Sequence, residues 1–350
     1  MGRFIVNGGN PLYGGVRVSG SKNAALPIIF ASLTTGGVSR IYNLPDITDV
    51  ADALRIIENF GARVWREGAL TLIVTRSLSY TTPCLDAVQR IRASTYLIGA
   101  CLARFGMAEL LPFGGCAFSH RPIDMHLDAA RGFGASVDGA RLAASGLHGA
   151  EVIFRQPSVG ATAVIPGDMI EAGTFLTASL LTGGRVRVSG FDARELSAFT
   201  APLLSAGVIA DVSGGSVMLV GKPRREISVT TGAYPAFATD LQPIFATLLA
   251  AFRGGVIEET VWRSRFGYLD ELARMGLSFA RENNRVRIFP SDIFASRVKA
   301  PDLRGGAAAV ILGLLAEGES VIESGELVLR GYDSFAEKLR SIGAKIQYIS

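Results

Sequence analysis

One short pattern recurs five times along the chain and restricts what it can fold into. A helix-like segment reaches a small-residue pivot and turns at once into a strand. The copies are Phe60-Gly61-Ala62-Arg63-Val64, Phe133-Gly134-Ala135-Ser136-Val137, Ala206-Gly207-Val208-Ile209-Ala210, Met275-Gly276-Leu277-Ser278-Phe279 and Ile342-Gly343-Ala344-Lys345-Ile346. Their glycines lie 73, 73, 69 and 67 residues apart. Glycine at such a pivot suits a helix C-cap in the left-handed conformation, which a side chain disfavours. Upstream of each pivot runs another strand-like stretch, such as Gly184-Arg185-Val186-Arg187-Val188. Before that comes an apolar helical run, such as Ala307-Ala308-Ala309-Val310-Ile311-Leu312.

The repeating unit is therefore helix, strand, helix, strand, strand, which defines an α/β (α+β) chain. The first helix of each unit is apolar nearly all round and is expected to be buried. The second, as in Val50-Ala51-Asp52-Ala53-Leu54-Arg55-Ile56-Ile57, is amphipathic and belongs nearer solvent. Units of this kind cannot bury their faces alone and must pack on siblings. The period is too long for a simple solenoid, so the units are expected to gather into globular lobes.

Composition narrows the function. At 350 residues, 49% hydrophobic and 19% charged, the chain has enough apolar material for more than one core. Its 35 Lys and Arg against 31 Asp and Glu leave a net charge of only +4, too small and too evenly spread to indicate nucleic acid. Cys84, Cys101 and Cys116 are an odd set without metal-ligand spacing, which fits a reducing compartment and no structural metal. Cys101 sits in an apolar run and reads as a core thiol. The N-terminus enters a strand pattern directly, and no apolar stretch is long enough to span a bilayer, so a cytoplasmic location with no membrane partner is expected.

Polar groups stand out in five places. Phe113-Gly114-Gly115-Cys116 leads into Ala117-Phe118-Ser119-His120-Arg121-Pro122-Ile123-Asp124, placing a thiol between permissive glycines and a basic segment. Ser19-Gly20-Ser21-Lys22-Asn23 presents a lysine ahead of a buried helix. Ser158-Val159-Gly160-Ala161-Thr162 is a turn able to offer backbone N–H groups to phosphate. Pro235-Ala236-Phe237-Ala238-Thr239-Asp240-Leu241-Gln242 sets Asp240 at a helix start, where an N-cap is the plain alternative. The fifth is a scatter of arginines: Arg92, Arg265, Arg304 and Arg330.

Taken together and in order, these segments resemble the enolpyruvyl transferases, nearest the branch that acts on UDP-N-acetylglucosamine. The resemblance runs nearly end to end and includes Gly8-Gly9-Asn10-Pro11-Leu12 and Arg92-Ala93-Ser94. It implies a two-lobed fold of the inside-out α/β barrel type. On that basis the first 20 residues plus 164–350 form a lobe of three units, and 21–163 a lobe of two units carrying the Cys116 loop.

The resemblance also implies a reaction. The enolpyruvyl group of phosphoenolpyruvate passes to a hydroxyl of a uridine nucleotide, and phosphate leaves, with no cofactor. Cys116 would be the general acid, Asp240 the proton acceptor, and Lys22 a third catalytic group. Lys22, Arg92, Arg121, Arg304 and Arg330 would bind phosphoenolpyruvate. Asn23, Arg121, Pro122, Ile123, Asp124, Met125, Ser158, Val159, Gly160 and Val261 would meet the uridine nucleotide.

The chain departs from the family in one large respect. The family carries six units, whereas this sequence passes from Ser158–Thr162 straight to Pro166-Gly167-Asp168-Met169, leaving five. A basic residue expected at Met169 is absent. Three acceptor readings stay open. UDP-N-acetylglucosamine would place the chain in peptidoglycan synthesis, and the 3′-hydroxyl of UMP in nucleoside-antibiotic synthesis. A non-catalytic uridine-nucleotide-binding paralogue is the third. Either a second copy of the chain, as a homodimer, covers the face left by the missing unit, or the surface residues there are recast.

Overall fold

The computed structural model describes residues 2–114, 123–132, 134–138, 141–143 and 159–350. The chain forms two compact units, one of residues up to Ser19 together with Gly167–Ser350, the other of Gly20–Pro166. Each has its own hydrophobic core.

All five pivot glycines take left-handed backbone, with φ between 90° and 100°. At each, the residue after the glycine donates its N–H to the carbonyl five positions back, as from Ala62 to Ile57 and from Ala344 to Leu339, at 2.9–3.4 Å. This closes the end of the amphipathic helix and starts the outer hairpin.

The unit containing Gly167–Ser350 is built from three four-stranded sheets. Each sheet joins a parallel pair to an antiparallel hairpin. The parallel pairs are Tyr13–Arg17 with Arg185–Ser189, Ile227–Thr230 with Gly255–Glu258, and Arg297–Lys299 with Gly318–Glu323. A helix links the second and third pairs, so each repeat has a leading strand that the five-element pattern did not contain. In the third sheet the chain closes on itself: Arg3–Gly8 lies between Gly318–Glu323 and Lys345–Ile349, antiparallel to both. The N-terminal strand thus supplies the hairpin partner that the last repeat lacks.

Three apolar helices, Met169–Leu181, Gln242–Ala251 and Leu303–Leu315, pack on one another behind these sheets. Of their 13, 10 and 13 residues, 12, 9 and 12 are buried. Asp168 caps the first, accepting from Ile170 N at 2.8 Å and Glu171 N at 3.1 Å. Close approach at the third needs glycine. A Cβ on Gly305 would lie 2.7 Å from Tyr268 Cβ, and one on Gly306 2.8 Å from Ala300 Cβ. The start of this helix, with Arg304 on it, is therefore sunk into the core.

The Gly20–Pro166 unit holds two repeats. Its first sheet runs Arg63–Glu67, Leu70–Val74, Val38–Tyr42, Thr162–Val164, the last two parallel. Its second joins Met107–Glu109, Arg141–Ala143 and Ser136–Asp138. Here the expectation of fully buried first helices fails. Only 4 of 10 residues of Lys22–Ala31 and 5 of 9 of Leu97–Phe105 are buried. Two such helices cannot enclose each other as three do. An apolar groove of about 430 Å³ is left beside them, lined by Pro27, Phe30, Tyr96, Leu102, His126 and Ala130. No helix among the described residues is long and apolar enough to cross a membrane.

Candidate active site

Two of the arginines singled out in the sequence, Arg265 and Arg304, converge on Asp240 in the larger unit. This residue lies in the 3-10 turn Thr239–Leu241, just before the Gln242–Ala251 helix. It does not cap that helix; its carboxylate turns to two arginines instead. Arg265 Nη1 donates to Oδ1 at 2.7 Å and Arg304 Nε to Oδ2 at 3.1 Å. The arginine side chains are 4% and 1% exposed, whereas Asp240 keeps 26% of its side chain open. A carboxylate held from behind and open in front is placed to take a proton from an incoming hydroxyl.

Arg304 is fixed from three directions. Asp302 accepts from the Arg304 and Gly305 backbone N–H groups at 2.8 and 2.9 Å, capping the Leu303–Leu315 helix. The guanidinium carbon lies 5.2 Å from the Tyr332 ring centroid, a cation–π arrangement. Tyr332 is in turn locked by Thr174, 2.9 Å between the hydroxyls. Burial opposes the charge on Arg304, but Asp240 and the electron-rich Tyr332 outweigh it and hold its pKa above the ordinary arginine value. Arg304 Nη1 is itself buried and makes no well-formed hydrogen bond among the described residues.

Arg265 belongs to a wider network. Gln242 Nε2 donates to its carbonyl at 3.3 Å, and its Nη1 also reaches Thr239 Oγ1 at 3.2 Å. Thr239 donates to the fully buried Glu259 at 2.7 Å. Sequence reading singled out neither Thr239 nor Glu259. A glutamate just after a strand gives no sign that it will be enclosed.

In the Gly20–Pro166 unit Lys22 opens the Lys22–Ala31 helix, and its Nζ lies 2.6 Å from Asp49 Oδ2, which is almost fully buried. Asp49 was also missed, since an acidic residue in the first turn of Thr48–Asn59 reads as a helix-dipole feature. Asn23 follows Lys22 and is exposed. Arg92 begins the 3-10 turn Arg92–Tyr96, and burial lowers its pKa.

The remaining positions belong to separate elements. Asp124 and Met125 begin the Asp124–Gly132 helix, Met125 being 79% exposed, and Ile123 precedes it half-buried. Val159 is 69% exposed. A Cβ on Gly160 would come within 1.9 Å of the Val38 carbonyl oxygen, so close backbone packing already requires that glycine. Val261 donates its N–H to Glu259 Oε1 at 2.9 Å. Arg330 ends the 3-10 turn Gly325–Arg330, two residues before Tyr332. Cys116, Arg121, Pro122 and Ser158 lie outside the described residues. Among the described residues no group of three His, Cys, Asp or Glu side chains is arranged to hold a metal ion.

Sheets backed by apolar helices, mutually buried in the larger unit and half-buried in the smaller, are the fold of the enolpyruvyl transferases. Residues 6–163 and 147–339 match the family described as EPSP synthase (3-phosphoshikimate 1-carboxyvinyltransferase), and the chain belongs to this family of enolpyruvyl (1-carboxyvinyl) transferases. The UDP-N-acetylglucosamine 1-carboxyvinyltransferase of Halothermothrix orenii is 33% identical over 415 aligned positions, spanning 100% of both chains. That of Clostridium botulinum is 34% identical over 416, spanning 99% of each. The enolpyruvyl transferase NikO from Streptomyces tendae shares the fold with a TM-score of 0.86 at 24% identity, over 99% of this chain and 98% of NikO. An EPSP synthase from Acinetobacter baumannii gives 0.60 at 14% identity, over 100% of both.

Proposed function

We propose that the chain transfers the enolpyruvyl group of phosphoenolpyruvate to a hydroxyl of a uridine nucleotide, with release of phosphate. The observation that carries this reading is the partly open Asp240 carboxylate clamped by buried Arg265 and Arg304. Cys116 protonates the methylene carbon of phosphoenolpyruvate as the acceptor oxygen adds to its neighbour, while Asp240 takes the hydroxyl proton. The tetrahedral adduct then loses phosphate together with a proton from the new methyl group. Lys22, Arg92, Arg121, Arg304 and Arg330 neutralise the phosphate and carboxylate. Asn23, the Arg121–Met125 segment, Ser158 to Gly160 and Val261 receive the nucleotide.

Relatives named for UDP-N-acetylglucosamine make it the first acceptor to try. A second acceptor, the 3′-hydroxyl of UMP, is favoured by the chain's length. The alignment with the Halothermothrix orenii enzyme spans 415 positions, 65 more than the 350 residues here. That difference amounts to about one repeat, and the smaller unit holds two repeats where the larger holds three. Phosphate release from phosphoenolpyruvate, with mass analysis of the modified nucleotide, tests the reading. Product with neither nucleotide would contradict it.

A further inference from the structure

We propose that Glu259 is a positioning residue of this reaction, setting Asp240 through Thr239 and Arg265. The inference rests on the reading of Asp240 as the proton acceptor.

A carboxylate with no exposure is costly unless its oxygens are fully engaged. Glu259 is such a group, placed just after the Gly255–Glu258 strand. Its backbone is pinned on both sides by Asn284: its N–H donates to the Asn284 carbonyl at 2.8 Å, and its carbonyl accepts from Asn284 Nδ2 at 3.2 Å. Its side-chain oxygens then divide their work. Oε1 accepts from Thr231 Oγ1 at 2.8 Å and from the Val261 and Trp262 N–H groups at 2.9 Å each. Oε2 accepts from Thr239 Oγ1 at 2.7 Å.

The second oxygen controls a direction. A threonine hydroxyl has one proton to give. Because that proton goes to Glu259, the Thr239 lone pairs are left to receive Arg265 Nη1 at 3.2 Å. The same Nη1 carries a second N–H, which goes to Asp240 Oδ1 at 2.7 Å. One hydroxyl orientation, dictated by a buried carboxylate, therefore fixes the arginine that holds the base. The same Glu259 fixes the backbone of Val261, which stands in the proposed nucleotide-binding set.

The carboxamide shows why charge and acceptor character matter here. In Glu259→Gln the Thr231, Val261 and Trp262 donors demand the amide oxygen at the Oε1 place, so the NH₂ group must face Thr239. Thr239 Oγ1 then accepts in place of donating, and its proton is no longer claimed by a buried carboxylate. The fold keeps three of the four side-chain bonds of Glu259, while the hydroxyl orientation that holds Arg265 on Asp240 is no longer enforced. Thr239→Val cuts the same link without touching Glu259, and Thr239→Ser keeps the hydroxyl.

The experiment measures phosphate release from phosphoenolpyruvate with UDP-N-acetylglucosamine and with UMP, across pH. It compares the parent, Glu259→Gln, Thr239→Val, Thr239→Ser and Asp240→Asn, with circular dichroism on each. Glu259→Gln and Thr239→Val are expected to lower kcat about tenfold or more, to change the KM for phosphoenolpyruvate less than about threefold, and to move the acidic limb of the kcat profile. Thr239→Ser is expected to return kcat to within about threefold of the parent. If Glu259→Gln does not fold, the Thr239 pair decides. Thr239→Val at parental kcat with an unmoved pH profile, beside an inactive Asp240→Asn, overturns the positioning role and leaves the function standing. An Asp240→Asn variant that turns over like the parent overturns the proton-acceptor and positioning roles and leaves the transfer standing, whereas a parent without turnover on either nucleotide overturns both.

Discussion

The guanidinium of Arg304 lies over the ring of Tyr332, 5.2 Å from its centroid, and the Tyr332 hydroxyl is held 2.9 Å from Thr174 Oγ1. Tyr332 also packs on Phe335 at 4.7 Å between centroids, inside an aromatic group that includes Phe175. Each such ring contributes about 2–3 kcal/mol by burial, so the surface beneath Arg304 is rigid. A planar guanidinium on that surface bonds Asp240 with one edge, and its Nη1 is buried without a well-formed hydrogen bond among the described residues.

Lysine cannot reproduce this geometry, because its ammonium is a point charge without a second edge. Arg304→Lys is expected to reduce kcat/KM for phosphoenolpyruvate on the order of 100-fold, with the fold retained. Steady-state kinetics check this, and parental efficiency would show that the second edge of the guanidinium is unused.

Glu171 links protonation to stability. It is buried against Lys338, 2.6 Å away, and Ser19 donates its N–H to it at 2.9 Å. Desolvation nevertheless exceeds the effect of Lys338 and pushes its carboxyl up to about 7 from 4.5. Between those values the folded state holds a proton that the unfolded chain has released. Stability therefore falls as pH rises through that window and levels off above it, by on the order of 2–4 kcal/mol in total. Glu171→Gln is expected to remove this slope. Thermal unfolding from about pH 5 to pH 8 checks it, and identical slopes in both proteins would refute it.

Two of the pivots separate backbone strain from collision. Gly343 and Gly276 have nearly equal φ, +100° and +99°, but a Cβ on Gly343 meets nothing within 4 Å while one on Gly276 lies 2.2 Å from the Asp292 carbonyl oxygen. Gly343→Ala is expected to cost about 1–2 kcal/mol, the left-handed penalty alone. Gly276→Ala must cost clearly more. Denaturant titration of the two variants gives the comparison, and equal losses would mean that the collision relaxes freely.

Cys101 is 3% exposed, and burial pushes its thiol up to about 12. An alkylating reagent at about pH 8 is expected to leave it unmodified in the folded protein and to label it after unfolding, since the thiolate is the nucleophile. Peptide mapping reads this directly. Equal labelling in both states would place Cys101 outside a closed core.

How far the sequence reveals the fold depends on the kind of constraint. The pivots were legible because positive φ selects glycine locally. The Arg3–Gly8 strand between two C-terminal strands was not, because its pairing across the length of the chain leaves no mark on periodicity. The incomplete burial of Lys22–Ala31 was also hidden, since an apolar helix reads the same whether two neighbours cover it or one. In the site, Asp240 and Arg304 were found through their motifs. Asp49, Thr239 and Glu259 were missed because each matters only through a partner that folding brings to it. Gly160 read as an anion-binding turn, and the structure shows a packing need at that position.

Phosphate release from phosphoenolpyruvate, with UDP-N-acetylglucosamine and UMP in parallel, decides whether the chain transfers an enolpyruvyl group to a uridine nucleotide. Release is expected to depend on at least one of the two, with that nucleotide gaining an enolpyruvyl group. Release with neither, from folded protein, would contradict it.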